Sequence, residues 1–161
     1  MPIVLEQRLN SSAIFISYSH SDKKWLDRLK LMLKPLTRMR EDFIYWDDRN
    51  IAPGSKWKEE IEQALASCQV AVLLVSPNFL ASDFIAEYEL PYILSKAASG
   101  SLTNVWVCLS DCRYDATPIA VYQAGHDVSK PLDTLPKGKR NQALNGVTKS
   151  IESALILHGI Q

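Results

Sequence analysis

Gln69-Val70-Ala71-Val72-Leu73-Leu74-Val75-Ser76 is the stretch that decides the fold. No polar residue interrupts it between Gln69 and Ser76. A strand without polar alternation is one covered on both faces, which is the situation inside a parallel sheet flanked by helices. Pro77-Asn78-Phe79-Leu80-Ala81-Ser82-Asp83-Phe84 follows as a loop, and Glu87-Tyr88-Glu89-Leu90-Pro91 reads as a helix start that carries carboxylates. Open α/β sheets bind ligands just outside the carboxyl ends of their strands. A glutamate at that place is a candidate for chemistry as well as for solubility.

Working outward, Ala13-Ile14-Phe15-Ile16-Ser17-Tyr18 is a β-rich run bounded by polar residues, hence a strand. Ser21 and Asp22 offer a helix cap, and Trp25, Leu29, Met32, Leu33 and Leu36 recur at helical spacing. Pro35 predicts that this helix closes near Lys34. Phe43-Ile44-Tyr45-Trp46 is a second strand that ends in Asp47-Asp48-Arg49. Asn50-Ile51-Ala52-Pro53-Gly54 is turn chemistry, and Ser55 caps a helix with Trp57, Ile61, Ala64, Leu65 and Cys68 along one face. The helix after Ser82 holds Ile85, Ile93, Leu94 and Ala97, and Val105-Trp106-Val107-Cys108-Leu109 is a fourth strand. Asp111 to Lys139 is irregular, with a short fifth strand expected near Ala120 to Tyr122 or His126 to Val128. Leu144, Val147, Ile151, Ala154 and Leu155 mark a last helix. Strand and helix alternate throughout, so the class is α/β and flavodoxin-like, a parallel sheet of about five strands with helices on both faces.

Composition narrows the function. The 161 residues suit one domain, and 47% hydrophobic against 22% charged residues is an ordinary globular balance. Lys+Arg and Asp+Glu stand equal at 18 each, without a block of either sign, so binding to nucleic acid or to an anionic membrane by gross charge is unsupported. Cys68, Cys108 and Cys112 lack the paired spacing of a zinc site and read as reduced thiols of a cytoplasmic protein. Met1 to Ser12 lacks the apolar core of a signal peptide and reads as an extension ahead of a domain over 13–158. No apolar run approaches a membrane span. No metal site is expected.

The strand ends gather the candidate chemistry. Ser17, Tyr18, Ser19 and His20 follow the first strand, Asp47, Asp48 and Arg49 the second, and Ser76 with Phe79, Phe84 and the glutamates the third. Hydroxyls and carboxylates suit a ribose and aromatic faces suit a base, so the mixture points to a nucleotide. Neither a P-loop nor a dinucleotide glycine fingerprint is present, and Ser76 lacks the Gly-x-Ser-x-Gly elbow of a hydrolase. A phospho-receiver would need an acidic pair after the first strand and an aspartate after the third, where this chain has Tyr18-Ser19 and Ser76. Pro91 is comfortable only in a first helical turn, which places Glu89 there too, with the helix dipole favouring its ionised form. Such a carboxylate can stabilise an oxocarbenium-like centre. A single candidate acid fits a leaving group that departs without protonation, as nicotinamide does from NAD+. Trp25, Trp57 and Trp106 read as core; Trp46 reads as core or mouth.

These residues resemble a known family, the Toll/interleukin-1 receptor (TIR) domains, and its bacterial members in particular. Phe15-Ile16-Ser17-Tyr18-Ser19, Trp46-Asp47-Asp48 leading into Ile51-Ala52-Pro53-Gly54 and Trp57, Leu73-Leu74-Val75-Ser76 with Phe79 and Ser82, and Glu89-Leu90-Pro91 carry the resemblance in order. It implies an NAD+ glycohydrolase that releases nicotinamide with ADP-ribose or a cyclic isomer, serves antiphage immunity and uses NAD+ as substrate with no cofactor. Glu89 matches the family's catalytic glutamate. Ser17, Tyr18, Ser19, His20, Asp47, Asp48, Arg49, Trp57, Ser76, Phe79 and Phe84 form the expected substrate-binding set. Ile51, Ala52, Pro53 and Gly54 resemble the BB loop, through which TIR domains associate with one another, up to filaments. Family members often add a sensor domain that binds a cyclic nucleotide, so a fused or partner sensor is a further expectation. Many members have Trp four residues before the glutamate; here Phe84 stands five before Glu89, which leaves Glu87 as the alternative acid. A non-catalytic TIR adaptor is the alternative function, and cleavage of free nucleosides a third.

Overall fold

Strand β3 (Val70–Val75) is buried from end to end, and both neighbours pair with it in parallel. In the computed structural model, which describes residues 12–51, 53–54 and 56–159, β1 is Ile14–Ser17, β2 Tyr45–Trp46 and β4 Thr103–Cys108. Among the described residues the sheet has four strands in the order β2-β1-β3-β4. Register aligns Ser17 with Leu73 and Val75 with Cys108, so the carboxyl ends of β1, β3 and β4 open on one edge. This is the flavodoxin-like α/β arrangement, with strand order reversing at β1.

The pleat divides the core in two. Ile14, Ile16, Val70, Val72, Leu74, Val105 and Val107 face helices α1 (Lys23–Met39) and α5 (Lys137–Leu157). Phe15, Ala71, Leu73, Val75, Trp106 and Cys108 face α2 (Trp57–Ser67), α3 (Pro77–Ala81) and α4 (Leu90–Ala98). Period-two alternation inside a uniformly apolar strand thus serves two separate cores. Helix α1 buries Trp25, Leu26, Leu29 and Leu33, and α5 answers with Leu144, Val147, Ile151, Ala154 and Leu155. The Lys96 ammonium of α4 donates to the carbonyls of Leu65, Ala66 and Cys68 at 2.9–3.2 Å, which satisfies the free end of α2.

Several expectations need correction. Helix α1 does not close near Lys34 but runs through Pro35 to Met39. Pro35 and Leu31 both lie on the exposed face, where water can take the Leu31 carbonyl that Pro35 cannot bond, while the Thr37 hydroxyl donates to the Lys34 carbonyl at 3.1 Å. Leu33 and Leu36 pack on the core and hold the last turn in place. Asp22 makes no capping bond. Its carboxylate instead accepts from the Ser76 hydroxyl (2.5 Å) and the Asn78 amide (3.3 Å), tying the start of α1 to the end of β3. The short turn His20–Asp22 is capped by Ser19. The Ser55 cap lies outside the described residues. The fifth strand shrinks to one parallel bridge, Trp106 to Ala124, because Pro118–Val121 coils into a 3₁₀ turn and Gly125 alone reaches the Trp106 carbonyl. Trp25, Trp46 and Trp106 are core, whereas Trp57 is 46% exposed.

Pro35→Ala restores the missing α1 hydrogen bond at an exposed site. The gain is partly offset by the freer unfolded chain, so stability should rise by about 1–2 kcal/mol in denaturant unfolding.

Candidate functional site

The crevice at the β1 switch point holds a cavity of about 390 Å³. Its walls come from four segments far apart in sequence. Tyr18, Ser19 and His20 follow β1; Asp48 and Ile51 follow β2; Trp57 and Ile61 stand on α2; Ser82, Phe84, Ile85 and Glu89 come from the segment after β3.

Glu89 reaches this wall through an irregularity of its helix. The chain is already helical at Asp83 and Phe84, then forms a π-turn over Ile85–Glu89 in which the Leu90 N–H bonds the Ile85 carbonyl. Pro91 has no N–H to give Glu87, and the widened turn accommodates that gap before α4 continues. Ile85, Glu89 and Ile93 then point inward together, all buried, while Glu87 is exposed. The expectation of a first-turn glutamate ionised by the helix dipole is therefore overturned, since that field fades within the first turn. Burial pushes the Glu89 carboxyl up to about 7; the Ser17 hydrogen bond pulls against this, Asp48 adds to it and His20 opposes it.

Two hydrogen-bonded units shape the polar side. The Ser17 hydroxyl donates to Glu89 Oε1 at 2.7 Å in a buried contact. Asp48 begins a 3₁₀ turn (Asp48–Asn50), accepts from the Tyr18 hydroxyl at 2.8 Å and pairs with His20. Burial, followed by the bond to Asp48, pushes the Tyr18 phenol up to about 12, so it stays a donor. On the apolar side the rings of Trp57 and Phe84 meet at 5.6 Å, and Phe84 meets Tyr88 at 5.4 Å.

Of the expected substrate-binding residues, Tyr18, Ser19, His20, Asp48, Trp57 and Phe84 line the cavity beside Glu89. The others stand elsewhere. Ser17 lies behind Glu89, and Asp47 is wholly buried against Lys30 at 2.7 Å, its Oδ1 also accepting from the Arg49 N–H. Arg49 pairs with Asp27 at 2.8 Å and also meets the Tyr18 hydroxyl, without lining the cavity itself. Ser76 is held by Asp22 while it caps α3, and Phe79 is core. In the expected BB loop, Ile51 reaches the cavity and Gly54 adopts φ +82°, a conformation glycine takes without strain; Ala52 lies outside the described residues. Ser82, Ile61 and Ile85 were missed as wall residues, although Ile85 four before Glu89 was a readable signal. Cys68 and Cys108 are buried, with thiols pushed up to about 11 and about 12 by burial. No cluster of three or more His, Cys, Asp or Glu able to hold a metal occurs among the described residues.

A carboxyl near 4.5 when unfolded and near 7 when folded binds more protons in the folded state between those values. Its contribution is full below about 4.5 and is lost as pH rises through about 7. Glu89→Gln keeps an acceptor for Ser17 and removes this cost. The variant should match the wild type near pH 4.5 and exceed it at pH 8 by something on the order of 3 kcal/mol, seen as a melting temperature several degrees higher.

Comparison with known proteins gives the family. A family model described as TIR domain matches residues 14–137. The uncharacterized protein y4lF of Sinorhizobium fredii is 28% identical over 142 residues, covering 88% of this chain and 43% of that protein. Toll-like receptor 6 of Homo sapiens is 31% identical over 90 residues, 56% of this chain and 11% of the receptor. The chain therefore spans less than half the length of the curated relatives it matches. Among solved structures, the TIR domain of the Toll-related receptor TRR-2 from Hydra magnipapillata superposes with a TM-score of 0.54 at 16% identity, over 71% of this chain and 82% of that one, a likeness of fold. On the family match, the chain belongs to the TIR domain family.

Proposed function

We propose that this TIR domain is an NAD+ glycohydrolase with Glu89 as its catalytic residue. The observation that carries the reading is a buried carboxylate at a cavity whose other walls are hydroxyls, an Asp–His pair and aromatic faces. The cavity, about 390 Å³, is of a size to receive nicotinamide and its ribose.

In the proposed reaction the bond between ribose C1′ and the pyridinium nitrogen breaks, and its electron pair leaves with nicotinamide as a neutral molecule. No acid is needed for that departure. Positive charge develops on C1′ and its ring oxygen, where the Glu89 carboxylate stabilises it across a partly dry wall. Water, or a hydroxyl of the remaining ADP-ribose, then adds to C1′ and releases a proton. Only ionised Glu89 serves this role, so turnover should rise as pH passes upward through about 7.

The reading extends to a domain over residues 13–158 that self-associates through the Ile51–Gly54 segment and acts in the cytoplasm in bacterial antiphage immunity, with a sensor as partner or fused neighbour. These points rest on the family resemblance, and the match to a bacterial protein is in keeping with them.

The test is nicotinamide release from NAD+ by protein held at high local concentration. The wild type should turn over, and Glu89→Gln, still folded, should lose at least about 100-fold in kcat. Full activity in Glu89→Gln would remove Glu89 from the chemistry. Zero turnover by an assembled wild type would favour a scaffolding TIR domain, and cleavage of nucleosides in preference to NAD+ would replace the substrate.

A further inference from the structure

We propose that Ser17 is a positioning residue for Glu89: its hydroxyl holds one carboxylate oxygen from behind and leaves the other for the cavity. The inference rests on the reading of Glu89 as the reacting acid, but its geometry stands apart from that reading. Ser17 is the last residue of β1 and shares a strand face with Phe15, in the core that packs against α2 and α4. It is 1% exposed and does not line the cavity, so it is not a substrate contact.

A hydroxyl at such a site must find a partner or lose stability. It donates to Glu89 Oε1 at 2.7 Å, from a residue 72 positions earlier in the chain. Glu89 Oε2 has no hydrogen-bond partner among the described residues. One oxygen is thus anchored by a rigid strand and the other is available to a ligand. An anchored carboxylate spends less of its time in unproductive rotamers, which counts for a charge that must meet one ribose carbon.

The same bond favours the ionised state. The groups facing Glu89 from the packed elements are few. Asp48, after β2, raises its proton affinity, and His20, after β1, lowers it. Tyr18 is engaged with Asp48, and α2 contributes Trp57 and Ile61, which do not titrate. Among the described residues Ser17 is the one direct donor to Glu89. A hydrogen bond to a charged group is strong enough that losing it should move the midpoint up by about one pH unit, which cuts the ionised fraction at pH 7 about fivefold.

The experiment compares wild type with Ser17→Ala, Ser17→Thr and Ser17→Cys in two measurements. The first follows the Glu89 side-chain carboxyl carbon by NMR across pH, assigned by its absence in Glu89→Gln. The second follows NAD+ turnover across pH. Ser17→Ala should move the NMR midpoint and the acid limb of kcat alkaline by about one pH unit. It should lower kcat at pH 7 about fivefold, hold KM within about twofold, and recover towards the wild type at pH 9. Ser17→Thr, which keeps the hydroxyl, should restore the wild-type midpoint; Ser17→Cys, a weaker donor of similar size, should fall between and serves if the alanine variant does not fold. An unchanged midpoint in Ser17→Ala overturns the proposal. So does a rise in KM at constant kcat, which would make Ser17 a substrate contact. The NMR arm decides even if the protein does not cleave NAD+, so failure of this inference and failure of the enzymatic reading are distinguishable.

Discussion

Burial of β3 on both faces is the constraint from which the rest follows. A strand whose six residues are all apolar cannot leave either face to water, so helices must cover both. Parallel neighbours are the arrangement that lets each strand return through a covering helix. With β1 and β3 adjacent, the chain leaves β1 for a helix on one face of the sheet and β3 for helices on the other, and a crevice opens between those connections. The polar residues after β1 and β2 and the helical segment after β3 meet at that crevice because of the sheet, not because of any local affinity.

Within it, the decisive feature is the conflict at Glu89. Burial opposes its charge, and the Ser17 hydroxyl and His20 favour it. The balance lands near neutrality, a usual place for a group that works by changing or holding its charge. Asp48 is treated differently: partly exposed, it is tied to Tyr18 and His20. Two carboxylates about one cavity therefore occupy contrasting environments. The aromatic wall of Trp57 and Phe84 completes a surface with one polar and one apolar side.

Much of the fold was legible because hydrophobic periodicity reports burial directly. Val70–Val75 was read to the residue, and the buried face of α5 was named but for Thr148. The failures have physical causes. Pro35 ends a helix by local rules, but packing of Leu33 and Leu36 and a hydrated face carry α1 onward. Asp22 and Ser76 each look like ligands or caps when read alone; 54 residues apart, they satisfy one another. Asp47 and Arg49 were grouped with Asp48 by adjacency, yet Asp47 turns to Lys30 and Arg49 to Asp27. The π-turn that sets Glu89 inward is a response to Pro91 and to packing together, so residue spacing alone did not show it.

The central claim is that the crevice beside Glu89 receives the nicotinamide–ribose half of a dinucleotide. Isoleucine methyl NMR during titration with NAD+ tests it most directly, using Glu89→Gln to prevent turnover. Ile51, Ile61 and Ile85 border the crevice, whereas Ile119, Ile151 and Ile156 lie elsewhere. The account predicts saturable shifts in the first three with the last three still. Shifts confined to Ile119, Ile151 or Ile156, or none at all in the assembled protein, would contradict it.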